Sequence, residues 1–151
     1  PGGNVEFHPE PDAKELPIGS WTRKQTGEYP IGTIITYGSD VDKVIAKAQA
    51  NNISIHVVNA RFFKPMDESM LQQLAKEGLP IIVYETDMRM GGLSSAILEY
   101  YNDHQLSVSI KRIGLGDHFI EHGSMPQLRK AEGIDINTLF QEIGAIHSEI
   151  R

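Results

Sequence analysis

The sequence predicts an α/β fold in three layers: a mostly parallel, five-stranded mixed sheet between helices, with one antiparallel edge strand. Three observations predict it. Short β-branched apolar runs alternate about three times with amphipathic stretches. Several of those runs are apolar at nearly every position, as in strands covered on both faces. The stretches between them are long enough for the helical crossovers that parallel strands require.

The elements follow in order. Trp21–Thr26 lies in SWTRKQTG, a short polar strand suited to an edge. Ile31–Gly38 (IGTIITYG) reads as a buried strand. The two are too close for a helical crossover, so antiparallel pairing between them is expected. Next comes VDKVIAKAQANN, where Val41, Val44, Ile45 and Ala48 share one helical face. Ser39 or Asp40 is suited to cap its start, and the Asn51–Asn52 pair ends it. Ile53–Ala60 is the third strand. Pro65–Gly78 has early acids and a closing glycine, the signature of a helix. PIIVYE is the fourth strand and Gly91–Asn102 the next helix. VSIKRIGLG is the last strand, and SMPQLRKAEG and DINTLFQEIGAIHSEI are the closing helices. No internal repeat or low-complexity segment interrupts the series.

Composition narrows the function classes. The chain has 151 residues, enough for one domain with its own core. It is 40% hydrophobic and 23% charged, as expected of a soluble globular protein. The net charge of −6 and pI near 5.5 argue against nucleic acid as a partner, since general nucleic-acid binders carry a basic face. No apolar run is long enough for a membrane span, and no signal peptide is visible. The chain has no cysteine, which excludes thiolate chemistry and disulfides. That fits a reducing compartment, and a cytoplasmic location is expected. The opening stretch, residues 1–15, is rich in proline, glycine and charge and reads as a linker. The compact domain is expected over 16–151, as the terminal domain of a longer protein.

Chemical candidates are few. MGGLSSA lies between a strand and a helix, so the Gly91 and Gly92 amides are placed to hold an anion. They also permit close packing of helix on strand. Both readings stay open on the residues alone, with packing favoured. The stretch has neither the lysine of a Walker loop nor the spacing GxGxxG. Arg61 and Lys64 frame RFFKP at a strand end, suited to phosphate or to capping carbonyls. His118 and His122 are four apart but flanked by glycines, with no clear helix to aim them at one metal. His56, within a strand, reads as a hydrogen-bonded core residue. Asp67, Glu68, Glu85, Asp87, Asp117 and Glu121 form no convincing acid–base pair, most of them being expected at helix starts or in loops, and GxSxG is absent. No complete catalytic or metal site emerges.

Three segments together carry a resemblance: VVNARFFKPMDESML (Val57–Leu71), IIVYETDMRMGGLSSAI (Ile81–Ile97) and RIGLGDHFIEHGS (Arg112–Ser124). In this order and at these distances they resemble the C-terminal domain of transketolase-like, thiamine-diphosphate-dependent enzymes. GLGDHFIEHG, followed by a short helix and GID, is most similar to the 1-deoxy-D-xylulose-5-phosphate synthase family. KELPIG resembles that family's segment leading into its third domain.

The resemblance implies a transketolase C-terminal fold from about Leu16 onward. Thiamine diphosphate and magnesium would be held between two preceding domains, whose GDG motif and activating glutamate are not found here. The intact enzyme would join pyruvate, after decarboxylation, to glyceraldehyde 3-phosphate, feeding isoprenoid and thiamine synthesis. This domain would scaffold the preceding domains and a homodimer interface, without catalytic, cofactor-binding or metal-binding residues. An exposed apolar patch and weak self-association are then expected. Arg61, Lys64, Gly91, Gly92 and His122 remain as anion or interface candidates. The sequence departs from the family at Gly2, where an arginine helps hold the acceptor phosphate, leaving the acceptor open. It also departs at Thr86, often an acid, and at Gly116, usually proline. Other transketolase-like enzymes, a 2-oxo-acid dehydrogenase β-subunit or a free-standing α/β binding module are the alternatives.

Overall fold

The computed structural model describes residues 15–149, with side chains through Ala145. All of the expected linker except Glu15, together with Gly2, His8 and the side chain of His147, lies outside the described residues.

Five strands, β1 (Thr22–Gln25), β2 (Thr33–Thr36), β3 (His56–Asn59), β4 (Ile81–Met88) and β5 (Ile110–Leu115), form one sheet in the order β1-β3-β2-β4-β5. The β2–β3, β2–β4 and β4–β5 pairs are all parallel, as the apolar runs predict. The helices are α1 (Asp40–Ala50), α2 (Glu68–Glu77), α3 (Leu93–Asp103), α4 (Met125–Ala131) and α5 (Ile136–Glu149).

Crossover handedness sorts the helices between faces. The chain moves one way from β2 to β3, then the other way from β3 to β4 and on to β5. A right-handed crossover in each direction places α1 on one face and α2 and α3 on the other. The core divides accordingly. Ile34, Val57, Ile82 and Tyr84 pack with Val44 and Ala48 of α1 and Leu139 and Ile143 of α5. Ile35, Val58, Ile81 and Val83 pack with Leu71 and Leu74 of α2 and Ile97 and Tyr101 of α3. Consecutive strand residues therefore serve opposite cores, which is why the runs lack polar alternation.

One expected pairing is overturned. β1 is the antiparallel edge strand, but it pairs with β3, in the register Thr22↔Asn59, and not with β2. All four β2 residues are buried and both its edges are taken by β3 and β4. The mostly exposed β1 is left with the outer edge of β3. Its link to β2 passes close over the start of β3. There Thr26 Oγ1 donates to the Ile53 carbonyl at 2.7 Å, and a Cβ on Gly27 would stand 2.7 Å from Ser54 Cβ.

Element ends differ from expectation for local reasons. β4 runs through Thr86 and Asp87 to Met88, because β5 continues to pair beyond an irregularity between Tyr84 and Met88. α3 starts at Leu93 rather than Gly91, whose φ of +75° is non-helical. α2 starts at Glu68 rather than Pro65. Asp67 is its N-cap and accepts from the Met70 amide at 2.9 Å, while Gly78 ends it in the left-handed region. Ser39 occupies the N-cap position of α1, yet neither it nor Asp40 makes a side-chain cap. The Asp40 carboxylate instead faces Arg129 of α4, with Nη1···Oδ1 at 2.9 Å and Nη2···Oδ2 at 3.2 Å, and also accepts from Lys43. That forked pair ties α4, which buries no residue fully, to the body of the fold.

Candidate functional site

In parallel α/β sheets, ligands bind beyond the carboxyl ends of the strands where the strand order reverses. Here that point lies between β2 and β4. The chain's own side chains occupy it. Tyr37, just after β2, packs its ring edge-on against Phe63 at 4.9 Å and hydrogen-bonds Thr86 of β4. Burial raises the Tyr37 pKa, although the Thr86 hydrogen bonds oppose that shift.

The Gly-Gly turn stands next to this point. Glu85 is only 1% exposed, and its carboxylate lies against the first turn of α3. Oε2 accepts from the Leu93 amide at 2.9 Å, and Oε1 accepts from the Ser94 amide at 3.3 Å and from the Ser94 hydroxyl. A helix start attracts negative charge through its unpaired amides, and here Glu85 supplies it from within the chain. The glycines make room. A Cβ on Gly92 would overlap the Met88 carbonyl and crowd Glu85 Oε2, and one on Gly114 of β5 would stand 2.7 Å from Glu85 Cγ. Packing and anion binding are thus the same feature, with the anion built in.

Lys64, Gly91 and Gly92 do come together. They line an open cavity of about 340 Å³ with Phe63, Asp87 and Met90, above the Glu85 carboxylate. Arg61 turns away from it. Its Nη2 donates to Ser20 Oγ at 2.9 Å and its Nε to the Ser20 carbonyl at 3.3 Å, so it holds the segment before β1, as a carbonyl-capping residue does. His122 lies apart from these four, in the exposed segment after β5. There it borders a separate surface hollow with His118, Phe119 and Glu121. His118 Nε2 is 2.8 Å from Glu132 Oε2, an exposed pairing rather than half of a metal site. His56 is buried as expected, with Nε2 3.1 Å from Gln25 Oε1. Burial lowers its pKa, the nearby Arg23 adds to the effect and Glu77 opposes it, so the ring favours the neutral form.

Two features are not evident from the residues one by one. Glu85 stands in the sequence as one acid among several; its signal is the acid closing an apolar run six residues before Gly91. The Asp40–Arg129 pair spans 89 positions and leaves no local signal.

Residues 27–139 match the family model described as "Transketolase, C-terminal domain". Curated relatives named 1-deoxy-D-xylulose-5-phosphate synthase share substantial identity with the chain. The one from Bacillus licheniformis is 37% identical over 146 residues, covering 94% of this chain and 23% of the relative. The one from Shouchella clausii is 38% identical over 122 residues, covering 79% and 19%. A third, from Geobacillus thermodenitrificans, is 39% identical over 127 residues, covering 82% and 20%. The chain spans about one-fifth of the length of these relatives. A solved structure described as "Split gene transketolase, inactive beta4 tetramer" matches with a TM-score of 0.71 at 22% identity, covering 88% of this chain and 44% of that one. That likeness concerns the fold alone. The helix start nearest to a diphosphate cradle is filled by Glu85. Among the described residues no group of three or more His, Asp or Glu is placed to hold a metal ion.

Proposed function

The chain belongs to the transketolase C-terminal domain family, and from that premise we propose that it is the structural third domain of a 1-deoxy-D-xylulose-5-phosphate synthase. In this reading the intact, cytoplasmic, homodimeric enzyme condenses pyruvate with glyceraldehyde 3-phosphate. Preceding domains hold thiamine diphosphate and magnesium, and this domain braces them. One observation carries the scaffold assignment: the strand–glycine–helix junction, the anion candidate offered by the sequence, is filled by the buried Glu85. A diphosphate would have to displace a carboxylate that already satisfies those donors.

Two measurements test this. The parent open reading frame should encode the GDG motif upstream, and the full-length protein should release carbon dioxide from pyruvate only when the phosphorylated acceptor is supplied. An upstream sequence of another transketolase-like type would reassign the enzyme and leave the scaffold role standing. Calorimetric titration of the 151-residue chain with thiamine diphosphate and magnesium should show no binding. Micromolar affinity requires about 8 kcal/mol. A magnesium-dependent micromolar isotherm would overturn the scaffold assignment.

A further inference from the structure

We infer that the carboxyl end of the sheet is the docking face for the polypeptide that precedes this domain, with Phe119 and Ile120 as its apolar anchor. This inference rests on the reading of the chain as one domain of a longer synthase, and it assigns that domain's working surface.

The first observation is where apolar side chains reach solvent. Phe63 lies in the loop after β3, Met90 in the loop after β4, and Phe119 and Ile120 in the segment after β5. All three segments leave the same end of a parallel set of strands. Phe119 is fully exposed and Met90 is 67% exposed. Leaving a phenylalanine in water forgoes the largest gain that burial of any side chain here offers. Single exposed apolar residues are ordinary, but three successive strand-end loops presenting them at one end describe a surface.

The second observation identifies the occupant. β1 runs antiparallel to β3, with Thr22 beside Asn59, so the described chain comes into the sheet at this same end. Just before it, Gly19 lies against Pro65, and Arg61 clamps Ser20. Ile18, the residue before that contact, is 80% exposed. By contrast, Ile143 of α5 packs beside Ile31 and Pro80, which lie at the amino ends of β2 and β4. The chain thus approaches at the end that carries Phe63, Met90 and Phe119, and leaves toward the other. A polypeptide arriving there is tethered over this face, and a tether raises its effective concentration far above that of a free partner. About four-fifths of the length of each curated relative lies outside the matched stretch, so on the reading of this chain as a terminal domain the occupant is the preceding part of the same polypeptide. Glu121 and His122 border the same surface hollow as Phe119, so its counterpart should be an apolar hollow edged by basic or hydrogen-bonding groups.

Hydrogen exchange on the full-length polypeptide and on the 151-residue chain tests the assignment. Amides between Asp117 and Ser124 should exchange at least about tenfold more slowly in the full-length protein, and Phe119→Asp should abolish that difference. Equal exchange in the two would overturn the proposal. So would protection appearing in the 151-residue chain alone as its concentration rises, because a second copy would then be the occupant. An open reading frame with nothing upstream would also overturn it. Failure of the functional reading is separable: a full-length protein without synthase activity, but with the segment protected, keeps the docking face and removes the enzyme assignment.

Discussion

Two neighbouring junctions, β4 to α3 and β5 to α4, leave the same end of adjacent parallel strands and treat their residues in opposite ways. At the first, a carboxylate is buried and every acceptor contact it makes is to the start of α3. At the second, Phe119 stands in solvent beside the partly exposed Ile120, in a stretch of sequence that also holds Asp117, His118, Glu121 and His122. The charged residue is interior structure, and the apolar residue is surface. Residue type alone does not separate the two junctions. The contrast teaches that a helix start is a binding site only when its donors are free, and that an apolar side chain in a loop is informative when nothing in its own domain covers it.

The largest expected effect breaks the first junction. Glu85→Ala strips two amides and a hydroxyl of their acceptor inside the fold, and should cost about 3 kcal/mol of stability by urea denaturation. A loss below about 0.5 kcal/mol would mean that water already satisfies those donors, and the site would be open to ligands after all. Second comes the tie between α4 and the body of the fold, which sets the position of the segment after β5. Arg129→Ala leaves the 5%-exposed Asp40 with Lys43 alone and should cost about 2 kcal/mol at neutral pH. Burial by itself would raise the Asp40 pKa, but the hydrogen bonds from Arg129 and Lys43 outweigh it and hold the carboxyl below its usual range. A depressed folded-state pKa contributes stability that is fully present above the unfolded value of about 3.9 and is lost as pH falls through the folded value. The gap between parent and variant should therefore close below about pH 4, and a gap that persists there would assign the loss to packing.

A smaller effect is expected at Arg61. Arg61→Ala removes its two contacts to Ser20 and should lower stability by about 1 kcal/mol, read as a fall in melting temperature. Unchanged stability with collapsed activity in the full-length protein would give Arg61 a functional role instead. Smallest of all is Phe119→Asp in the 151-residue chain, where the side chain has no core to leave. Stability should change by less than about 0.5 kcal/mol, and a larger loss would show that Phe119 belongs to this domain's own packing.

Much of this molecule is decided locally, and that part is legible in the sequence. Strand runs such as TIIT and the IIVY that opens β4 are apolar or β-branched at every position because both faces are covered. Asp67 and Gly78 bracket α2 by cap chemistry that acts within a single turn. Three short stretches at set distances were enough to place the chain in its family. The pairing of β1 was not legible, because a polar edge strand carries no signal for which of two neighbours has a free edge; the global strand order settles that. Arg129 and Asp40 met for the same reason, through the fold and across 89 positions. The clearest case is Glu85. Its identity and its place before Gly-Gly were plain, but whether its carboxylate faced solvent, a ligand or α3 depended on the Gly92 and Gly114 clearances and on the path of β5. Sequence sets which groups need partners, since that is covalent chemistry. Tertiary structure sets which partners they find, because hydrogen bonds and apolar contacts act over a few ångströms and only the completed fold brings distant segments that close.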